Sequence, residues 1–324
     1  LSDRVDDREY GFGEIELAAQ LRPAKVCREP ASAASSHWSN GTGTMRSGPG
    51  IGHTFLPRRS RQIRPPCLVE YSGMTRELNG KRILVTGAAT GIGAAAVTVL
   101  QAAGARVAAT FHHTAPPDHS EASWLQCDAT DPASVDETVR AAVETLHGLD
   151  VLVHAAGLWH PGVPGQIGLD DVRHVMDTNF TSTVLANQAA AAVMAETGGG
   201  RIINFGSSEG VMGSPMSAIY AASKSAVASW TRSAAKCWAG QHITVNALAP
   251  AVETPGAQRL RDFLGPDLMP IIEQQLQMSI PLGGKLGDPV NDVGPMLVFL
   301  AGEGSHFITG QLLAVDGGLM MLGA

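Results

Sequence analysis

The stretch "RILVTGAATGIGAAAVTVLQAAGARVAAT", residues 82–110, constrains the fold more than any other part of the chain. A short apolar run is followed by Gly87, Gly91 and Gly93, then by an alanine-rich segment and a second apolar run. Glycine permits a sharp turn after a strand and a close backbone approach to a ligand. The helix that follows presents free amide N–H groups and the positive end of its dipole to whatever lies over the turn, an arrangement that attracts phosphate. Ala94 to Ala96 allow close helix–strand packing, and Gly104 suits a helix C-terminus. The segment predicts a strand–turn–helix–strand unit holding a dinucleotide at Gly87, Thr90, Gly91, Ile92 and Gly93. The glycine spacing, G-x3-G-x-G, departs from the commoner G-x-G-x-x-G.

The pattern continues for about 250 residues. Strands are predicted at 82–86, 105–110, 123–128, 149–156, 201–206, 242–249 and 311–317, and helices near 92–103, 133–147, 170–196, 218–239 and 288–302. Strand–helix alternation on this scale is the mark of parallel βαβ units, and continuous apolar strands imply helices on both faces. The fold class expected is α/β, a Rossmann-type doubly wound parallel sheet in a single domain over residues 74–324. The chain is 44% apolar and 16% charged, enough to bury a large core. A net charge of -7 argues against nucleic acid as the main partner. No apolar run reaches the length of a membrane span, and a cytoplasmic location without a membrane partner is expected. Cys27, Cys67, Cys127 and Cys237 form no CxxC pair and are read as free thiols, and no histidine cluster has metal-ligand spacing, so no metal is expected.

Residues 1–73 differ in character, being rich in arginine and turn formers as in "LPRRSRQIRPPC", with no sustained period. A targeting segment would lack the acids of "DRVDDREYGFGEIE". The expectation is a poorly structured extension or a start-site artefact, with no catalytic duty.

The choice of dinucleotide turns on the end of the second strand. An acid there would bind the ribose diol of NAD, but the sequence reads "VAATFHHT", with Phe111 in that place. Thr110, His112 and His113 could accommodate a 2'-phosphate, which favours NADP over NAD. Asp128, ending "WLQCD", is either an adenine contact or a cap for the helix that follows.

One further stretch, "SSEGVMGSPMSAIYAASK", places Tyr220 and Lys224 one helical turn apart, shortly after Ser207 and Ser208. Together with TGxxxGxG at 86–93, Ser207 thirteen residues before Tyr220, Asn179 in "MDTNFTST" and "FITGQLLAVDGG" at 307–318, the chain resembles the short-chain dehydrogenase/reductase family over about residues 78–319. The resemblance implies hydride transfer between a nicotinamide cofactor and an alcohol or carbonyl compound. Tyr220 would be the general acid/base, since a nearby ammonium and an oxidised nicotinamide favour the phenolate of a group that ordinarily titrates near 10. Lys224 would tune it and bind the nicotinamide ribose, Ser207 (preferred to Ser208) would hold the substrate oxygen, and Asn179 would order a water that relays protons to Lys224. The family's "NNAG" turn reads "HAAG" here, His154 to Gly157, so Ala156 and Gly157 leave room beside the cofactor while Ala155 lacks an amide. Thr254, in "APAVETPG", would contact the nicotinamide carboxamide.

Substrate choice would come from about 251–283, where Leu260, Phe263, Leu264, Leu268, Met269, Ile271, Ile272 and Met278 recur at helical spacing, with Trp159 and His160 opposite. A moderately apolar ketone or secondary alcohol is expected as the small-molecule partner. Similar wording in 3-oxoacyl-[acyl-carrier-protein] reductases ("IPLGGKLGDP") makes that activity the specific alternative, and a non-catalytic dinucleotide-binding regulator the alternative from another class. Relatives of this kind assemble as tetramers, so a homo-oligomer is implied.

Overall fold

Alternation along each strand decides which layer receives which side chain. In β1 (Arg82–Thr86), Ile83 and Val85 point to one face and Leu84 to the other; in β4 (Val151–His154), Val151 and Val153 oppose Leu152. All six apolar side chains are fully buried, each contributing about 1.5–3 kcal/mol of burial free energy. The structure is a computed structural model that describes residues 77–117 and 121–321; the expectations for residues 1–73 lie outside the described residues.

The other strands are β2 (Arg106–Phe111), β3 (Ser123–Gln126), β5 (Gly200–Phe205), β6 (Ile243–Pro250) and β7 (Leu312–Val315). They form one sheet in the order β3-β2-β1-β4-β5-β6-β7, and every neighbouring pair is parallel. One layer packs α1 (Gly91–Ala102) and α9 (Gly294–Ala301) against Ile83, Val85, Val153 and Leu248. The opposite layer packs α2 (Pro132–Leu146), α4 (Ser182–Thr197) and α6 (Ala218–Trp238) against Leu84, Leu152, Ile202 and Val245. The doubly wound α/β architecture is the one expected. The strand order reverses between β1 and β4, and in such sheets the crevice outside the carboxyl ends at this switch point is where ligands bind.

The helix expected over 170–196 is three pieces. α3 (Leu169–Met176) runs into a π-helical turn, Asp177–Thr181, which runs on into α4. A second π turn, Pro289–Val293, precedes α9, with Asp288 accepting from Val290 N and Asn291 N. Neither "DTNFT" nor "PVNDV" disrupts an amphipathic pattern enough to be seen as a widened turn. Two helices in the expected substrate segment, α7 (Pro255–Leu264) and α8 (Met269–Ser279), complete the region after β6, and the short α5 (Glu209–Met212) precedes α6.

The departure at "HAAG" has a structural answer. His154 is buried at the end of β4, its Nδ1 2.9 Å from Thr86 Oγ1 on β1 and its Nε2 3.2 Å from Ser182 Oγ on α4. Ser182 Oγ already donates to Thr178 O at 2.6 Å, so it accepts from the histidine, which fixes the Nε2–H tautomer. The imidazole thus ties two central strands to the helix beneath them. Burial, with the charge of Lys224 in second place, pushes its pKa down to about 3. The ring stays neutral.

Candidate functional site

The turn after β1 is built from close backbone approaches. Gly87 has φ 61°, and a Cβ on it would lie 2.6 Å from Ala156 Cα; a Cβ on Gly93 would lie 2.2 Å from Gly87 O. The turn is pinned by Ala88 N donating to Thr110 O at 2.8 Å and Gly87 N to Thr110 Oγ1 at 3.1 Å. Thr90 is the N-cap of α1, yet its side chain makes no capping hydrogen bond, so the first amides of α1 are free to donate outward. A cleft of about 590 Å³ opens over them.

The cleft gathers most of the residues singled out in the sequence. Gly87, Thr90, Gly91, Ile92, Gly93, Phe111, His112, Ala156, Gly157, Tyr220, Lys224 and Thr254 all line it. Asp128 borders an adjoining hollow with Gly87, His112 and Ala156, its carboxylate 4.0 Å from His112 Nε2. Of its two expected roles the helix cap is excluded. Asp128 accepts from Thr130 N and Thr130 Oγ1, which hold its pKa low, while Asp131 caps α2 by accepting from Ser134 N. Thr254 is the N-cap of α7, its Oγ1 accepting from Ala257 N at 3.1 Å.

Tyr220 and Lys224 lie on α6, and Tyr220 lines both this cleft and an adjoining second cavity of about 450 Å³. Ser207 borders the second cavity, and its Oγ accepts from Glu209 N at 3.1 Å. Lys224 is buried, its Nζ donating to Phe205 O at 3.0 Å and standing 5.9 Å from the centre of the Tyr220 ring. A Cβ on Gly157 would lie 3.0 Å from Asn179 Oδ1 and 3.4 Å from that ammonium, so a side chain there would crowd the buried amide. Burial pushes Lys224 down to about 8.

The phenol departs from the expectation. Burial, and then the charge of Glu209, raise the Tyr220 pKa well above its ordinary value, while a hydrogen bond with the Ser207 side chain opposes them. Lys224 alone does not lower it. Glu209 went unnoticed in the sequence because nothing in "SSEG" says that the carboxylate would face a tyrosine eleven residues on. Ser217 Oγ donates to Glu209 Oε2, and burial raises the carboxyl pKa against the hydrogen bonds from Ser217 and Trp159. The Trp159 indole N–H, buried, approaches Glu209 closely enough for that effect but completes no hydrogen bond of regular geometry.

Asn179 sits in the π turn and is fully buried. Its Oδ1 accepts from Leu158 N at 2.8 Å, and its Nδ2 donates to Leu158 O and to Ser223 Oγ, both at 3.0 Å. Both amide hydrogens are therefore committed to protein. The expected water relay finds its side chain already engaged in fixing the segment after β4 against α6.

On the substrate side, Leu260, Leu264, Met269 and Ile272 line the second cavity with Trp159, and Phe263 packs edge-on to Trp159 at 6.4 Å. Ile271 and Met278 are instead exposed, and His160 lies 4.0 Å from Asp171 outside both cavities. Among the described residues no group of His, Cys, Asp and Glu could hold a metal, and no helix is long and apolar enough to cross a membrane.

Residues 87–320 match the model of the family described as "Enoyl-(Acyl carrier protein) reductase". The chain is 33% identical over 252 residues to the 3-oxoacyl-[acyl-carrier-protein] reductase FabG of Vibrio cholerae, covering 76% of this chain and 99% of that protein. It is 31% identical over 255 residues to 2-(S)-hydroxypropyl-CoM dehydrogenase 3 of Xanthobacter autotrophicus, with 76% and 99% covered. The solved aldohexose dehydrogenase of Thermoplasma acidophilum, 27% identical, superposes with a TM-score of 0.68 over 76% of this chain and 96% of that one.

Proposed function

The chain belongs to the short-chain dehydrogenase/reductase family of oxidoreductases acting on CH–OH and C=O groups, and on that premise we propose that it interconverts a secondary alcohol and a ketone with Tyr220 as the proton-transferring residue. The observation that carries this reading is the position of Tyr220, which borders the dinucleotide cleft and the second cavity at once. The family's nicotinamide cofactor fits a cleft whose floor is cut back to glycine and whose helix N-terminus has uncapped amides. When bound, that cofactor supplies or accepts the hydride.

The residues of this chain do the rest. Gly87 to Gly93 and the first amides of α1 hold the phosphates; Thr254 and Lys224 orient the nicotinamide end. Ser207 donates to the substrate oxygen, the place where negative charge develops during reduction. Tyr220 delivers its proton to that oxygen. A phenol whose pKa is raised by burial and by Glu209 stays protonated through the neutral range, the form from which a proton is given to a carbonyl oxygen. Phe111 in place of a carboxylate at the end of β2, with His112 and His113 lining the cleft beside it, supports NADP as the preferred cofactor.

The relatives' names span an acyl-carrier-protein reductase, a coenzyme M conjugate dehydrogenase and an aldohexose dehydrogenase. The substrate proposed is therefore a class, ketones and secondary alcohols carrying an apolar portion that lies against Leu260, Leu264, Met269 and Ile272. The test is a screen of such carbonyl compounds with NADPH and NADH, followed by Tyr220→Phe on the best pair. The variant should lose about 10²- to 10⁴-fold in kcat while binding cofactor as before. Equal turnover by the two proteins would remove Tyr220 from the mechanism.

A further inference from the structure

A bound dinucleotide brings two negative charges on its pyrophosphate, and the cleft supplies few positive ones. Among the residues that line it there is no Asp or Glu, and the only lysine and arginine side chains are Lys224 and Arg259. Lys224 is buried beside Tyr220 and commits a donor to Phe205 O. Arg259 is placed differently. It lies on α7, whose first residue, Pro255, packs against the phosphate turn: Pro255 Cδ is 3.2 Å from where a Cβ on Gly91 would stand. Position 259 is one helical turn beyond 255, on the same face of the helix.

The neighbours of Arg259 have partners. Gln258 donates to Asp262 at 2.8 Å, and Arg261 forms an ion pair with Glu253 through both carboxylate oxygens. Arg259 has neither an ion pair nor a hydrogen bond among the described residues. An arginine that lines an anion-binding cleft, beside a helix packed on the phosphate turn and with its own donors uncommitted, is matched to a phosphate group, to which a guanidinium can present two parallel N–H donors.

Resting on the cofactor reading above, we propose that Arg259 is the counter-ion of the cofactor's pyrophosphate, clasping it from the α7 side while the amides of α1 hold it from the other. The pyrophosphate is common to NAD and NADP, so Arg259 adds affinity without discriminating between them; discrimination stays at the end of β2. Such a contact, a hydrogen bond to a charged group, is worth about 10- to 100-fold in affinity.

The experiment measures dissociation constants for NADPH and NADH by fluorescence, at low and high salt, for the full chain and for Arg259→Gln and Arg259→Lys. Arg259 is exposed, and unchanged thermal melting without cofactor will verify folding of each variant. Arg259→Gln should weaken both cofactors by the same factor, tenfold or more, and flatten the salt dependence; Arg259→Lys should recover part of the loss. Unchanged constants for both cofactors would overturn the proposal. A loss confined to NADPH would overturn it too, by reassigning Arg259 to the 2'-phosphate. If the unmodified chain binds neither cofactor, the nicotinamide reading itself fails, a result separate from the other two.

Discussion

Replacing His154 by Asn gives the sharpest test of how this core is balanced. The imidazole is buried between Thr86 and Ser182 and holds a pKa of about 3, against an ordinary value of 6.5. As pH falls below about 6.5 the unfolded chain takes up a proton at this residue, whereas the folded chain does so only near 3. Protons then bind preferentially to the unfolded state, and stability declines with falling pH across that window. With one pKa unit worth about 1.36 kcal/mol, His154 alone removes about 2 kcal/mol of stability between about pH 7.5 and about pH 5. Asn cannot titrate, so His154→Asn should lose that slope. Any cost of repacking the smaller amide is independent of pH and cancels when the two pH values are compared. Urea unfolding of both proteins at both pH values, at one protein concentration, measures the difference directly. The variant's stability relative to the original should rise by about 2 kcal/mol on going from the higher to the lower pH. A relative stability that does not change with pH would refute the idea that this histidine is kept neutral by its burial.

Two further outcomes follow from the site. Glu209→Gln removes the charge that opposes ionisation of Tyr220, so the rising limb of the pH profile for alcohol oxidation should move to lower pH; a limb that stays put or moves upward contradicts the electrostatic coupling. Gly93→Ala places a methyl 2.2 Å from Gly87 O and should cost about 1–3 kcal/mol in melting experiments, together with most of the cofactor affinity. Gly240→Ala, where a Cβ meets nothing within 4 Å, is the control and should stay within about 0.5 kcal/mol of the original.

The parts of this architecture that could be read in advance are those in which local chemistry and tertiary role coincide. Gly87, Gly91 and Gly93 are needed for the turn itself and also open the cleft. The central strands are legible because burial on both faces leaves a continuous apolar text. Asp128 and Asp131 show the limit of a single-residue reading: both precede α2, but Pro132 sits in its first turn and makes Asp131 the cap, a signal present in "TDPAS". Other features belong to no local pattern. Whether Glu209 opposes Tyr220, or Arg259 lines the same cleft as Gly91, depends on how α5, α6 and α7 meet after folding. A lysine at one-turn spacing and an oxidised nicotinamide are legible as forces that favour the phenolate. The depth of burial of Tyr220 and the facing charge of Glu209, which raise its pKa, are set only by the folded chain.

The widened turn at Asp177–Thr181 has a consequence for how this protein can change. It amounts to an extra residue spliced into one otherwise unbroken rod. Deleting a single residue there would give a more regular helix and would also swing the preceding segment around the axis by about 100°. Asn179 would then leave Leu158 and Ser223 behind. Substitutions in this rod can be absorbed one at a time, but its length is fixed by the catalytic end of the molecule, so a deletion that tidies the backbone would dismantle the site.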